Sequence, residues 1–156
     1  MARAYWLLKS EPEVYPYSQL VAEKKTLWSG VRNHEARNNL ARMAKSDLVL
    51  FYHSHDVELV GVARVTRPAR RDPTSEDPRW VAVEIAAVKA LVRPVPLAAI
   101  RADRTLATLK LLTHTRLSVM AVLPAQFERL LELGHTRLPR SAALRPAKPP
   151  AADGRC

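Results

Sequence analysis

The run Leu48-Val-Leu-Phe-Tyr52 constrains the fold more than any other feature of this chain. It follows Asp47 and is apolar at every position, so both of its faces need cover from other parts of the molecule. A strand of this kind lies inside a sheet whose two faces are packed against other elements. The run therefore predicts a central strand.

The other apolar segments are short, and prolines or polar turns separate them. Further strands are predicted at Tyr5–Lys9, Leu59–Val65, Trp80–Leu91 and Leu117–Val122. Helices are predicted at Ser18–Glu23, Asn33–Ala44 and Pro124–Leu133, with helical turns at Leu97–Arg101 and Leu106–Leu112 and a solvated loop from Pro68 to Pro78. Because no predicted helix suits repeated parallel crossovers, the pattern favours an α+β fold with a small, mostly antiparallel β-barrel.

The chain of 156 residues is long enough for one domain with its own core. Periodic patterning ends near residue 134, and Pro, Ala, Arg and Ser dominate the residues that follow. We expect a folded domain over residues 1–134 and a disordered basic tail over residues 135–156. No coiled-coil repeat is present, and the expected state is a monomer.

The chain is strongly basic, with 25 Lys and Arg against 15 Asp and Glu and a net charge of +10. This excess predicts a polyanionic partner, with nucleic acid ahead of an acidic membrane surface. Several of the cations lie in the predicted tail, where Asp153 is the single acid. The predicted domain stays positive without them, so the nucleic-acid interpretation does not depend on the tail.

The sequence predicts a soluble protein that does not enter a membrane. Tyr5–Leu8 is too short an apolar run for a signal peptide, and no segment approaches the length of a membrane span. The only cysteine is Cys156, which excludes an internal disulfide and a cysteine metal cluster. We expect the protein in the cytoplasm of a bacterium, with access to the nucleoid.

Signals for metal binding and catalysis are weak. His53, His55 and Asp56 are potential ligands, but no further His or Cys cluster completes a metal site. Ser54 lies between two histidines, yet neighbours on a strand point to opposite faces, so neither histidine is placed as its general base. The four glycines are not clustered and form no phosphate-binding loop. We expect no metal, no cofactor and no catalysis.

The stretch Trp28-Ser-Gly-Val-Arg-Asn-His-Glu-Ala-Arg-Asn38 combines an aromatic ring, a turn glycine, guanidinium groups and amides. These groups suit a planar ligand with hydrogen-bonding edges, such as a nucleobase. The stretch also carries the signals of a helix start, with Asn33 as the N-cap and Glu35 in the first turn. A helix start explains neither Trp28 nor the two arginines.

Other polar residues lie at the ends of predicted strands, where the mouth of a barrel would bring them together. They are Lys9 and Ser10 after the first strand, Tyr52, His53 and Ser54 at the central strand, and Arg116 and Ser118 at the last strand. Taken singly, each has an ordinary structural explanation, and Trp28 itself suits a core. Their joint position favours one site for a nucleobase.

Four segments of the chain, in order, resemble the EVE-domain family. They are Tyr5-Trp-Leu-Leu-Lys-Ser-Glu-Pro12, Trp28-Ser-Gly-Val-Arg-Asn33 with Ala36-Arg-Asn38, Asp47 to Ser54, and Arg116-Leu-Ser-Val119. The resemblance covers residues 4 to 134. It implies a PUA-like β-barrel of five or six strands with flanking short helices, related to the YTH readers of methylated adenine. It also implies a non-catalytic domain that holds a flipped, modified base of DNA or RNA, such as 5-methylcytosine or 5-hydroxymethylcytosine, in a central pocket.

Carried over position by position, the resemblance places a set of residues in or near that pocket. They are Lys9, Ser10, Trp28, Gly30, Arg32, Asn33, Arg37, Asn38, Tyr52, His53, Ser54, Arg116 and Ser118. The implied roles are stacking for Trp28, reading of the base edge for Asn33, Asn38 or Ser10, and phosphate contacts for Arg32, Arg37 and Lys9.

The chain departs from the family pattern at two places. His34 and Glu35 stand where the family more often has an aromatic residue and an amide, and Met120 and Ala121 stand where it usually has a polar residue and proline. The acid at Glu35 lies near the implied pocket and would alter which base it accepts. Two alternatives remain at this stage: a nucleotide- or RNA-processing enzyme that uses the same pocket, and a basic adaptor that binds through its tail.

Overall fold

The structure is a computed structural model that describes residues 3–139. Within it, the strands are β1 (Tyr5–Ser10), β2 (Lys25–Trp28), β3 (Leu48–His53), β4 (Glu58–Arg71), β5 (Val81–Pro96) and β6 (Val119–Val122). The helices are α1 (Tyr17–Glu23), α2 (His34–Arg42), α3 (Leu97–Ala102), α4 (Lys110–Thr113) and α5 (Pro124–Leu133), with a 3-10 turn at Arg104–Leu106. None of the helices in this part of the chain combines the length and the hydropathy that a membrane span requires.

The six strands form one sheet in the order β2-β5-β4-β3-β1-β6. β1 and β3 run parallel, and every other neighbouring pair is antiparallel. All six residues of β3 are buried, because the strand lies inside the sheet and side chains cover both of its faces. The predicted α+β class, the mostly antiparallel pairing and the central strand are confirmed.

The predicted small β-barrel does not close, because the sheet is open. Its edge strands β2 and β6 have four residues each and do not pair with each other in the described part of the chain. Helix α2 packs beside β6 instead, and Asn39 Nδ2 donates a hydrogen bond of 2.7 Å to the carbonyl oxygen of Val119. A side chain thus satisfies a backbone group of the edge strand without a further strand.

The loop predicted from Pro68 to Pro78 is shorter in the structure, because residues 68–71 belong to β4 and the remaining residues form the turn of a β4–β5 hairpin. β4 and β5 pair from Glu58 beside Pro96 to Arg71 beside Val81, so both strands run well beyond the core. The ladder changes register between Arg67 and Arg70, which leaves room for Pro68, a residue without a backbone N–H to donate. The turn is therefore confined to residues 72–80, and the arginines of β4 line its approach.

Strand β2 was not predicted, and it is the element that delivers Trp28. Its residues are exposed or half-buried and show no alternation, so periodicity cannot detect it. It forms through pairing with β5, where Trp28 lies beside Val83 and Lys25 beside Ala86. A short edge strand of this kind depends on its partner for its conformation.

The folded domain continues past the predicted boundary at residue 134. The Thr136 side chain is buried, and its Oγ1 accepts a hydrogen bond of 2.8 Å from the backbone N–H of Val92. Leu138 packs against the core, and Lys89 Nζ donates a hydrogen bond of 3.0 Å to the carbonyl oxygen of Arg137. Residues 135–139 therefore extend the domain, while residues 140–156 of the predicted tail lie outside the described residues.

Substitution of Gly61 by alanine is expected to lower the free energy of unfolding by about 1–3 kcal/mol. An added Cβ would lie 2.4 Å from Cζ of the Tyr17 ring. The ring is held in place because Tyr17 is buried and its hydroxyl donates a hydrogen bond of 2.6 Å to the carbonyl oxygen of Val62. Urea denaturation measures the loss, and in a Tyr17→Leu background the same substitution should cost much less. An equal cost in both backgrounds would contradict the steric explanation.

Candidate nucleic-acid interface

A cleft of about 500 Å³ opens where the ends of β1 and β2 approach the start of β6. It is lined by Lys9, Ser10, Glu11, Val14, Tyr15, Leu27, Trp28, Ser29, Gly30, Val31, Arg32, Asn33 and Ser118. Of the predicted site residues, the structure brings together here Lys9, Ser10, Trp28, Gly30, Arg32, Asn33 and Ser118. The volume lies within the range typical of small-ligand sites in proteins.

The Trp28 indole forms an aromatic wall of the cleft. Its ring lies 5.5 Å from that of Phe51 and 5.6 Å from that of Tyr15, with interplanar angles of 78° and 81°. Such perpendicular contacts are favourable and hold a ring in a defined orientation. Trp28 is therefore both a half-buried neighbour of the core and a residue of the cleft wall.

Asp72 organises the rim of the cleft, and sequence reasoning missed it. Its carboxylate is fully buried and accepts hydrogen bonds from the Gly30 N–H (2.8 Å), Arg32 Nη1 (3.0 Å), and the Thr74 N–H and hydroxyl (2.7 and 2.6 Å). Burial raises the pKa of Asp72, but the hydrogen bonds from Thr74, Gly30 and Arg32 outweigh it and lower the pKa to about 2. The carboxylate is therefore charged at neutral pH and ties the β4–β5 turn to the segment after β2.

The only local signal for this role is the spacing Asp72-Pro-Thr74, which is typical of a turn in which an aspartate side chain accepts from the backbone two residues on. That signal predicts a turn. It does not predict the long-range partners, which come from a segment 40 residues earlier in the chain.

The turn into α2 forms as the sequence predicts. Gly30 has a φ of +83°, a conformation that suits glycine, and Asn33 Oδ1 accepts a hydrogen bond of 2.9 Å from the Ala36 N–H. The predicted N-cap is confirmed. Capping uses the oxygen of the Asn33 amide, and its Nδ2 group makes no hydrogen bond to the residues that the structure describes, so it remains a donor at the cleft.

Hydrogen bonds also fix the opposite wall, at the end of β1. Lys9 Nζ donates to the carbonyl oxygen of Thr115 at 2.8 Å, and burial lowers the pKa of Lys9. The Ser10 hydroxyl donates to the carbonyl oxygen of Tyr15 at 2.6 Å. The Lys9 backbone N–H donates to the carbonyl oxygen of Ser118 at 2.9 Å. These bonds hold the walls in place without a ligand.

Six predicted site residues do not line the cleft: Arg37, Asn38, Tyr52, His53, Ser54 and Arg116. Asn38 and Arg116 are exposed. Phe51 packs against the Trp28 ring. The next residue, Tyr52, projects from the opposite face of the sheet because side chains alternate along a strand. Tyr52 is buried there near Arg101, and burial raises its pKa.

His53 has a structural role in the described chain. Its Nε2 accepts a hydrogen bond of 3.0 Å from the backbone N–H of Tyr17, and its Nδ1 lies 3.4 Å from Asp56 Oδ2. These contacts anchor the start of α1 on the end of β3. Ser54 joins the same junction through a backbone hydrogen bond of 2.9 Å to Ser10. Among residues 3–139, no group of three or more His, Cys, Asp or Glu residues is arranged to hold a metal ion.

Arg37 lies one helical turn after the cap and is half-buried. Its backbone N–H donates to the Asn33 carbonyl oxygen at 2.9 Å, while its side-chain Nε is buried and has no hydrogen-bond partner within the described residues. Buried donors are nearly always satisfied in proteins, by water or a ligand where no protein group is available. The guanidinium group therefore retains capacity for an anionic oxygen.

Residues 4–133 match the family model of the EVE domain, which spans almost all of the described chain. The chain belongs to the EVE domain family. The resemblance of the four sequence segments to this family is thereby confirmed. The family assignment also covers every element that lines the cleft, from β1 to the start of β6.

Three proteins illustrate how similar this EVE domain is to others. A Rhodopseudomonas palustris protein solved by NMR is 40% identical, with a TM-score of 0.81 over 85% of this chain and 93% of the other. Mouse thymocyte nuclear protein 1 is 30% identical over 85% of this chain and 74% of its own. Human THYN1, solved in complex with DNA that contains 5-methylcytosine, is 28% identical, with a TM-score of 0.79 over 86% of this chain and 99% of the other.

A more distant neighbour shares the fold alone. The YTH domain of Zygosaccharomyces rouxii MRB1, solved in complex with N6-methyladenosine RNA, is 13% identical, with a TM-score of 0.53 over 85% of this chain and 86% of the other. This EVE domain therefore shares its overall fold with that YTH domain.

Proposed function

We propose that this EVE domain is a non-catalytic DNA-binding domain that holds a flipped, modified base, such as 5-methylcytosine or 5-hydroxymethylcytosine, in the cleft beside Trp28. The observation that carries the proposal is the aromatic and polar cleft itself, in a chain related to human THYN1, whose structure holds 5-methylcytosine-containing DNA. Extrusion of a base costs a few kcal/mol, so single-stranded and mismatched DNA should bind better than matched duplex.

The chemistry of the walls supports a base as the occupant. The Trp28 ring, held by Phe51 and Tyr15, offers a surface on which a base can stack, worth about 1–3 kcal/mol. The Asn33 Nδ2 group offers a donor for the hydrogen-bonding edge of the base. Val31 and Leu27 supply apolar surface at the same cleft, which suits a methyl group.

The cations around the cleft divide into two kinds. Arg32 forms an ion pair with the buried Asp72 carboxylate at 3.0 Å, so its charge is partly neutralised and its main role is to hold the rim. Lys9 lines the cleft and Arg37 lies beyond it on α2, and among the described residues neither has an acidic partner of this kind. They are the stronger candidates for contacts with flanking phosphates. Phosphate contacts of this type make binding dependent on salt concentration.

The carboxylates of the site favour binding over catalysis. Asp72 accepts four hydrogen bonds and has a pKa of about 2, so it is poorly suited to take a proton from a substrate at neutral pH. Glu11, the other acid at the cleft, is exposed and lacks the apolar surroundings that tune a carboxyl group as a general acid. Both groups are better explained as parts of the binding surface.

Fluorescence-polarisation binding of short single-stranded oligonucleotides that differ in one cytosine tests the proposal. We expect the 5-methylcytosine or 5-hydroxymethylcytosine oligonucleotide to bind about tenfold more tightly than its unmodified partner, since one buried methyl group contributes about 1–3 kcal/mol. A higher salt concentration should weaken binding of both oligonucleotides and leave the ratio of their affinities unchanged. Equal affinity for all oligonucleotides, with steep salt dependence, would show that charge alone drives binding.

A further inference from the structure

Trp80, the residue immediately before β5, is the centre of a second aromatic surface outside the cleft. Its ring lies 5.1 Å from the His34 ring with an interplanar angle of 33°. The guanidinium carbons of Arg32 and Arg79 lie 5.7 and 5.9 Å from the centroid of the indole. We call these four residues, Trp80, His34, Arg32 and Arg79, the Trp80 ledge.

Packing in the core does not explain the ledge. The half-buried Trp80 belongs neither to the buried core nor to the half-buried apolar side chains that pack against it. Its ring contacts instead an imidazole and two guanidinium groups, and His34, Arg32 and Arg79 are all exposed. A large aromatic ring among cations at the surface is the arrangement that proteins use to bind single-stranded nucleic acid.

The ledge is continuous with the cleft through Arg32. This residue lines the cleft and also lies over the Trp80 ring. Its position is fixed, because Nη1 donates to Asp72 at 3.0 Å and Nη2 donates to the Thr74 hydroxyl at 3.1 Å. A strand whose base enters the cleft would therefore meet the ledge next to it.

We propose that the Trp80 ledge stacks the nucleotide adjacent to the base held in the cleft, an inference that rests on the proposed function. The exposed His34 ring, backed by Trp80, supplies a flat surface for the adjacent base. Arg79 supplies a positive charge for the connecting phosphate, although its pair with Asp77 at 2.7 Å attenuates that charge. Such stacking strengthens binding irrespective of the sequence of the neighbouring nucleotide, because every base has an aromatic face.

The test uses Trp80→Ala with modified oligonucleotides that carry either a normal nucleotide or an abasic site next to the modified base. We expect Trp80→Ala to weaken binding of the normal oligonucleotide about tenfold, with the preference for the modified base unchanged. An abasic site on one side of the modified base should weaken binding by the wild-type protein by a similar factor. The same abasic site should weaken binding by the Trp80→Ala variant little further.

The variant should fold, because the hydrogen bonds of Trp80 with Asp77 and Asp72 use backbone atoms. His34→Ala removes the exposed ring on which the adjacent base would stack, and it should weaken binding of the same oligonucleotide by a similar factor. Arg104→Ala, which removes an exposed cation from the 3-10 turn, is the charge control and should change little.

Two results would overturn the ledge. One is that both Trp80→Ala and His34→Ala bind the oligonucleotide with unchanged affinity. The other is that Trp80→Ala loses the preference for the modified base, which would place Trp80 in the base site itself. Failure of the proposed function looks different, because the wild-type protein would then show no modified-base preference at all.

Discussion

Replacement of Asp72 by alanine is expected to lower the free energy of unfolding by about 1–3 kcal/mol, the typical cost of leaving buried hydrogen-bonding groups without their partner. The Gly30 N–H, the Arg32 guanidinium group and Thr74 would all lose their buried acceptor. Because those bonds hold the rim of the cleft, binding of oligonucleotides should fall as well. Urea denaturation gives the stability change, and a loss below about 1 kcal/mol would contradict the role assigned to Asp72.

Acid should reproduce part of this effect in the wild-type protein. The pKa of Asp72 is about 2 in the folded state, below the ordinary aspartate value of 3.8, so its charged form stabilises the fold. The contribution is fully present above about pH 4, is lost as the pH falls towards 2, and is on the order of 2 kcal/mol. Asp72→Asn should therefore lose less stability between pH 4 and pH 2 than the wild type does.

Asp77 provides the matched control for both measurements. A hydrogen bond from the Arg79 side chain is the main reason that the pKa of Asp77 is also about 2, but the Asp77 side chain is 33% exposed. Solvent screens such a pair, so Asp77→Asn should change stability little. If Asp77→Asn proved as destabilising as Asp72→Asn, burial would not be the reason for the importance of Asp72.

Replacement of Trp28 by alanine is expected to weaken binding of the modified oligonucleotide by about 10- to 100-fold, the loss of one stacking surface. The variant should also lose stability, because the indole contacts the Phe51 and Tyr15 rings. Binding must therefore be measured at a temperature where circular dichroism shows the variant to be folded. Trp28→Phe keeps an aromatic face and should retain most of the affinity.

Trp6 allows the binding effect of Trp28 to be separated from its effect on stability. Trp6 is buried on β1, and its Nε1 donates a hydrogen bond of 3.0 Å to Asp47 Oδ2. Trp6→Phe should destabilise the protein by about 1–3 kcal/mol and leave oligonucleotide affinity unchanged. If a folded Trp28→Ala variant binds the modified oligonucleotide as tightly as Trp6→Phe does, the base binds outside the cleft.

Several features of this EVE domain follow from local sequence. The run Leu48–Tyr52 predicts a strand with two buried faces, and β3 is that strand. Asn33 predicts the start of α2 because a cap depends on residues three positions apart. The motifs from Tyr5 to Val119 predict the family, and the family model matches residues 4–133. These features are local, or are carried by linear motifs, and need no knowledge of distant contacts.

The features that only the tertiary structure decided depend on which distant segments meet. β2 forms because β5 is beside it, and the sheet stays open because α2 rather than a strand covers β6. Asp72 accepts hydrogen bonds from Gly30 and Arg32 at the far end of the β4–β5 hairpin. The prolines and polar residues from Pro68 to Pro78 predict a loop there and not the full length of the hairpin. Periodicity reports whether a side chain is buried, but pairing, register and hairpin length decide which side chains face one another.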